Sequence, residues 1–232
     1  MAKTLIKKIF KLGGIDLKRS NRAVEKYALL YDRYQKYTMI PKELFILNLD
    51  LCHSFSRLEG DFVECGVWRG GMSAAIAEVL GKRKRFHLFD SFEGLPKAKE
   101  IDGKEALAWQ KNTSSEGYFD NCAADERFAI EAMKLAKHAD YLLHKGWFEK
   151  TLPISITQPV SILRLDGDWY DSIMVCLENI YPKVVSGGLI IIDDYHTWDG
   201  CTRAVHDYLS KIKSPSRIHE WNNRVAYIVK KS

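Results

Sequence analysis

Ser161-Ile162-Leu163-Arg164-Leu165-Asp166-Gly167-Asp168 is an apolar run that ends in two aspartates, and Leu189-Ile190-Ile191-Ile192-Asp193-Asp194 repeats the pattern. Runs this apolar read as strands buried on both faces, the kind found in parallel sheets. In an open α/β sheet, ligands collect outside the carboxyl ends of such strands. Four carboxylates converging there repel one another unless protons, a cation or a cationic ligand balances them. An all-oxygen cluster with no accompanying Cys-His set favours a hard ion such as Mg2+ over zinc. Aspartate also caps strands and starts turns, which explains either pair alone. The two pairs together point to a site.

Outward from these strands the chain alternates strand and helix. Strands are expected at 62–65, 85–89, 141–144, 160–165, 188–192, 217–221 and 224–230, with helices at 72–80, 124–137, 171–181 and 200–212. Repeated βα units closed by a hairpin, with Asn222-Asn223 as its turn, predict an α/β doubly wound sheet. Residues 1–60 read as a helical extension before a body at 61–232. Ala23, Tyr27, Leu30, Tyr31 and Tyr34 recur at helical spacing, and Pro41 opens a second helix through Leu44, Leu47, Leu51 and Phe55. The tyrosine stripe suits helix packing better than a substrate pocket. Residues 91–120 form a long polar insertion of the kind that covers a site.

Phe62-Val63-Glu64-Cys65-Gly66-Val67-Trp68-Arg69-Gly70-Gly71-Met72-Ser73 reads as strand, glycine turn and helix. Gly66 lets the chain turn at the strand end, and Gly70-Gly71 are expected to let a ligand approach the backbone. The spacing ExGxxxGG is not the close-packed turn of a dinucleotide site. Glu64, two residues before the first glycine, suits a cationic part of a ligand. Asp90 ends the next strand, where such folds hold ribose hydroxyls with a carboxylate. S-adenosylmethionine (SAM), with an ammonium, a sulfonium and a ribose, meets both demands.

The net charge of +5 is unevenly placed: residues 1–40 hold ten Lys/Arg against Asp16, Glu25 and Asp32, leaving the remainder near −2. Leu5, Ile6, Ile9, Phe10 and Leu12 interleave with Lys3, Lys7, Lys8 and Lys11. Residues 1–12 are thus expected either to contact anionic membrane peripherally or to form an ordinary surface helix. Nucleic acid is not an expected partner. No apolar run approaches the length of a transmembrane helix. Five scattered cysteines without CxxC fit a reducing compartment, hence a cytoplasmic protein, at most peripheral at the inner membrane face. Cys65 and Cys176 read as small buried residues. A homo-oligomer is compatible with the chain.

FVECGVWRGGMS (62–73), LFDSFEGLP (88–96), KGWFEKTLP (145–153), LRLDGDWYDS (163–172) and IIIDDYHTWDGCTRAV (190–205) occur in order. Together they resemble the macrocin-type O-methyltransferase family, which methylates sugar hydroxyls of glycosylated natural products, with related enzymes acting on bacterial surface polysaccharides. The resemblance implies a class I SAM methyltransferase fold, with a mostly parallel sheet, an antiparallel last strand, and helices on both faces. It implies SAM and Mg2+, or Mn2+, as cofactors, and a small-molecule or glycan acceptor. Glu64, Gly66, Trp68, Arg69, Gly70 and Gly71 would border the methionine part of SAM, with Gly146, Trp147 and Asp166 nearby. Asp90 would bind ribose, with Ser91 and Phe92 near adenine. Asp166, Asp193 and Asp194 would ligate the metal, and Asp168 would be the general base.

On this reading the metal acidifies a sugar hydroxyl, because an aspartate of ordinary pKa near 4 is a weak base. His196 is the rival base, two residues past Asp194. Trp147, Trp169, Tyr170 and Trp198 are candidates for stacking on a sugar or for packing. Two other readings are an NAD(P)-dependent oxidoreductase, and a noncatalytic SAM- or membrane-binding module of a polysaccharide assembly complex.

Overall fold

The computed structural model describes residues 21–232 except His138, Ile156 and Thr157. Seven strands form one sheet: β1 (Asp61–Cys65), β2 (Arg85–Asp90), β3 (Asp140–Lys145), β4 (Val160–Leu165), β5 (Val184–Ile192), β6 (Ile218–Trp221) and β7 (Val225–Val229). Their order is β3-β2-β1-β4-β5-β7-β6. The first five run parallel, and β7 lies antiparallel to both of its neighbours. Asn222 and Asn223 both adopt left-handed φ (51° and 56°) in the β6–β7 turn, as a two-residue hairpin requires. Succession reverses between β1 and β4, and that switch point is where a ligand crevice opens in such sheets.

Side-chain alternation sorts the core into two layers. Phe62, Phe86, Leu88, Ile162 and Ile191 face α1 (Asn21–Tyr34), α2 (Lys42–Ser54), α3 (Gly71–Leu80) and α5 (Glu126–Leu135). Val63, Cys65, Leu163, Leu165 and Ile192 face α6 (Phe148–Ser155), α7 (Tyr170–Ile180) and α8 (Asp199–Lys211). β4 is fully buried, which explains its apolar character apart from Ser161 and Arg164. Tyr27, Leu30 and Tyr34 are buried in the first layer, so the tyrosine stripe is core. Cys65 and Cys176 are buried, as their apolar surroundings predict.

Two helices were not anticipated. The insertion carries α4 (Gly103–Lys111), and α6 forms despite Pro153. The insertion is docked on the body: Tyr170 N donates to Asp102 Oδ1 (2.7 Å), and Trp169 Nε1 donates to the Pro96 carbonyl (2.9 Å). The basic stretch at 1–12 lies outside the described residues. Within them, no helix is long and apolar enough to cross a membrane.

Candidate active site

A cavity of about 1100 Å3 opens over the carboxyl ends of β1, β2, β4 and β5. Its walls include Gly66, Trp68, Asp90, Ser91, Trp147, Asp166, Asp168, Asp193 and Asp194. The insertion supplies Gly94, Leu95, Pro96, Lys97, Lys99 and Asp102, with Cys122 just past its end, so it forms a wall of the cavity. Met39, Ile40, Pro41 and Leu44, between and within the first two helices, add an apolar edge. Glu64, Arg69, Gly70, Gly71, Phe92, Gly146 and His196 are not wall residues.

The cation that balances the aspartates belongs to the protein. Parallel register sets Glu64 beside Arg164, with both side chains on the α2 layer of the sheet. Arg164 is fully buried; its Nη1 lies 2.7 Å from Glu64 Oε1 and 2.7 Å from Asp166 Oδ2. Nη2 lies 2.6 Å from Asp193 Oδ1, but off the line of its N–H bonds. Asn48 Oδ1 of α2 accepts from Nε at 3.3 Å. The second Glu64 oxygen accepts from the Ser73 hydroxyl. Glu64 therefore meets a protein cation beneath the cavity, which corrects the expectation that it faces a cationic ligand. The sequence carried the signal, because a lone charge inside a buried strand requires a partner.

Asp193 lines the cavity with one oxygen against Arg164, as Asp166 also has, and Asp166, Asp168 and Asp194 offer oxygens within 4.8 Å of one another. Among the described residues, no Lys or Arg forms an ion pair with Asp168 or Asp194. Burial and the neighbouring Asp166 push Asp168 up to about 8, well above the ordinary value expected of it. Burial and the charges of Asp168, Asp166 and Asp193 raise Asp194 as well. Asp193 rises only to about 6, since Arg164 opposes its burial. Three hard oxygens with surplus negative charge fit a divalent cation at the ~2.0–2.6 Å range of oxygen ligands.

Asp90 lines the cavity as the β1–β2 doublet predicts. Its Oδ2 accepts from Val67 N (2.7 Å) and Trp68 N (2.8 Å), and Oδ1 from Phe92 N (2.7 Å). A carboxylate has about four acceptor positions, so capacity remains for a ribose hydroxyl. Trp68, Phe92 and Asp168 all adopt left-handed φ (49°, 58° and 56°) just past the ends of β1, β2 and β4. Such backbone concentrates at ligand sites in folded proteins.

The glycines serve the chain itself. A Cβ on Gly66 would fall 1.7 Å from the Asp166 carbonyl oxygen, so Gly66 lets β1 and β4 converge at the cavity floor. A Cβ on Gly70 would lie 2.8 Å from Ala129 Cα, and one on Gly71 2.7 Å from the Tyr37 carbonyl oxygen. Protein backbone, not a ligand, makes the close approach at Gly70 and Gly71.

His196 is exposed and lies 3.5 Å from Glu220 Oε1, which separates it from the cavity. Trp169 is 2% exposed, with Trp109 and Trp198 packed edgewise on it, and cannot offer a face to a sugar. Tyr170 donates its hydroxyl to Asp207 at 3.0 Å. Of the four aromatic candidates, Trp147 and Trp169 border the cavity, Trp169 with almost no exposed surface, and Tyr170 and Trp198 do not.

A family model described as Macrocin-O-methyltransferase (TylF) matches residues 19–230. The chain belongs to this family. Over 157 residues it is 38% identical to the 8-demethyl-8-(2,3-dimethoxy-alpha-L-rhamnosyl)-tetracenomycin-C 4'-O-methyltransferase of Streptomyces olivaceus, covering 64% of this chain and 58% of that one. Over 165 residues it is 32% identical to the demethyldecarbamoylnovobiocin O-methyltransferase of Streptomyces niveus, covering 67% and 60%. The chain thus spans about three fifths of the length of these two curated relatives. The O-methyltransferase NovP superposes with a TM-score of 0.68 at 27% identity, over 84% of this chain and 83% of that one. The calicheamicin methyltransferase CalS11 (TM-score 0.62, 20% identity, covering 92% and 94%) shares the fold. The macrocin-O-methyltransferase family and the class I methyltransferase architecture agree with the strand order observed.

Proposed function

We propose that the protein is a SAM-dependent O-methyltransferase acting on a sugar hydroxyl of a glycosylated small molecule or glycan, with a divalent cation, Mg2+ or Mn2+, held by Asp166, Asp193 and Asp194 beside Asp168. The observation that carries the reading is Asp168. In a chain of a methyltransferase family, it places a carboxylate without a protein counter-ion in the wall of the cavity that Asp90 also lines. SAM, when bound, supplies an electrophilic methyl group, and a divalent cation acidifies a hydroxyl beside it. The residues do the rest. Asp90 and the Gly66–Trp68 turn orient the cofactor, and Asp168 accepts the hydroxyl proton at Oδ2 while Oδ1 is held by Trp198. The rhamnosyl acceptor named for the tetracenomycin relative supports a deoxysugar as the first class to test.

The reading extends to a cytoplasmic location with peripheral membrane contact through residues 1–12, supported by the basic excess in residues 1–40. Membership in a methyltransferase family weighs against the dinucleotide-dependent oxidoreductase. The test combines calorimetry of SAM with mass spectrometry after incubation with Mg2+, SAM and either methyl α-L-rhamnopyranoside or TDP-rhamnose. Binding and a gain of about 14 Da on a sugar, a methyl group in place of a hydrogen, are expected. Folded protein that binds no SAM ends the methyltransferase reading, and binding without transfer to any glycoside favours the noncatalytic module.

A further inference from the structure

Three tryptophans cluster where the insertion meets the site, and each indole N–H has an acceptor. Trp109 Nε1 donates to the Gly117 carbonyl at 3.0 Å, within the insertion. Trp169 Nε1 donates to the Pro96 carbonyl at 2.9 Å, joining the body to the insertion. Trp198 Nε1 donates to Asp168 Oδ1 at 2.8 Å. The rings meet edge to face, with centroids 5.2 Å apart for Trp169–Trp198, 5.9 Å for Trp109–Trp198 and 6.1 Å for Trp109–Trp169. Such contacts fix ring planes, not only positions.

The backbone closes the arrangement into a ring. Trp198 N donates to the Asp194 carbonyl at 3.0 Å, and Asp168 N donates to Asp194 Oδ2 at 3.2 Å. Asp168 stands in the left-handed region, a conformation that persists where surroundings over-determine it. An indole N–H can only donate. It therefore holds Oδ1 as an acceptor and leaves Oδ2 of this cavity-wall residue without a hydrogen-bond partner among the described residues.

We propose that Trp198 is a positioning residue that holds the Asp168 carboxylate in its reacting orientation, and that the 91–120 insertion in turn holds Trp198 through Trp109. The inference rests on the reading of Asp168 as the general base. It gives the insertion a role beyond covering the site. Ordering of the insertion and alignment of the base become one event.

The test uses the full chain with S-adenosylhomocysteine bound. Of the six tryptophan indole signals in a 1H–15N spectrum, that of Trp198 is identified by its loss in Trp198→Phe. Asp168→Asn should move the Trp198 signal further than any other indole signal, and an unmoved signal overturns the proposal. In turnover of whichever rhamnoside the wild type methylates, Trp198→Phe keeps an aromatic ring in the cluster and removes the donor. Its kcat should fall about 10- to 100-fold, as for loss of a hydrogen bond to a charged group. The acceptor KM and the affinity for S-adenosylhomocysteine should stay within about twofold, the pattern of an interaction that matters in the transition state. Asp168→Asn combined with Trp198→Phe should be no slower than Asp168→Asn alone, because Trp198 acts through that carboxylate. Trp109→Ala should reproduce part of the kcat loss and Trp109→Phe less of it. A wild-type kcat in Trp198→Phe, or losses that multiply in the double variant, overturns the proposal. A wild-type kcat in Asp168→Asn overturns the base reading and the catalytic half of this inference with it, while the indole signal still judges the contact.

Discussion

Arg164 and Glu64 lie side by side in the register of β4 and β1, with Nη1 2.7 Å from Oε1, and neither side chain reaches solvent. The same nitrogen lies 2.7 Å from Asp166, so one buried guanidinium ties the structural interior to the cavity floor. Its charge is shared among Glu64, Asp166 and Asp193, and none remains for Asp168 and Asp194. Arg164→Met is expected to destabilise the protein by about 3–5 kcal/mol, because it leaves buried carboxylates uncompensated. Glu64→Gln should cost less, since its amide can still accept from Arg164. Urea denaturation of both variants measures the difference, and equal small losses would refute the assignment of Arg164 as the internal counter-ion.

The sequence disclosed the strand ends but not their wiring. Apolar runs ending in aspartates located the cavity, and the Gly66 turn and Asp90 belong to its wall as well. Strand periodicity registers only an apolar run around Arg164, between Leu163 and Leu165, although its lone charge there signals a buried partner. Which aspartates converge depends on side-chain direction past the last ladder pair, and spacing does not encode that. Asp193 sets one oxygen against Arg164, and Asp168 turns toward Asp166 and Asp194. Helix α6 escaped notice because it is eight residues long and contains Pro153. The Gly70-Gly71 pair was legible as a close approach, but only the packing of α5 and Tyr37 shows what approaches.

Gly66→Ala should be among the most damaging single changes. Its Cβ would overlap the Asp166 carbonyl oxygen at 1.7 Å, and φ is +93°. We expect a loss above about 4 kcal/mol, or no folded protein. Gly81→Ala is the control: φ is +66° but nothing lies within 4 Å of its Cβ, so only the backbone cost of about 1–2 kcal/mol applies. Similar melting temperatures for the two variants would contradict the packing account.

Asp90→Ala should weaken SAM binding by about 1.5–3 kcal/mol, the range for a hydrogen bond involving a charged group. It also frees the Val67, Trp68 and Phe92 amides, so part of the loss comes from a loosened turn. Asp90→Asn separates the two effects, because it keeps one acceptor for those amides. Calorimetry with S-adenosylhomocysteine reads both variants, and unchanged affinity in Asp90→Ala would remove Asp90 from the cofactor site.

Without a cation, acidity should favour the fold locally. Asp168 titrates near 8 in the folded chain and near 4 when unfolded, so the folded state binds more protons between those values. Stability from this group is then present at low pH and lost as pH rises toward 8. Mg2+ should oppose that loss, raising the melting temperature more at pH 8.5 than at pH 5.5, values chosen on about either side of the upper pKa. A Mg2+ effect that is absent at both, or larger in acid, would count against the aspartate trio as its site.

Asp168 belongs both to the oxygen trio and to the proposed proton path, so its two roles must be separated experimentally. Asp168→Asn keeps the shape and the Trp198 acceptor but removes the proton acceptor, and kcat should fall by about 100-fold or more. If Asp168 acted chiefly as a cation ligand, raised Mg2+ would restore the rate; as the base, it stays slow at any Mg2+ concentration. Asp194→Asn should show the opposite pattern, with weakened Mg2+ binding and partial rescue at high Mg2+. Asp193→Asn should likewise weaken Mg2+ binding, and because one carboxylate oxygen lies against Arg164 it should also lower stability by about 1.5–3 kcal/mol. A stability loss with Mg2+ affinity intact would assign Asp193 to Arg164 alone. His196→Ala should leave the rate near wild type, because that ring lies outside the cavity against Glu220. Single-turnover methyl transfer across a Mg2+ titration, run on all four variants, distinguishes these patterns. A fast Asp168→Asn together with a collapsed His196→Ala would move the base to the histidine and require a chain rearrangement that brings it into the cavity.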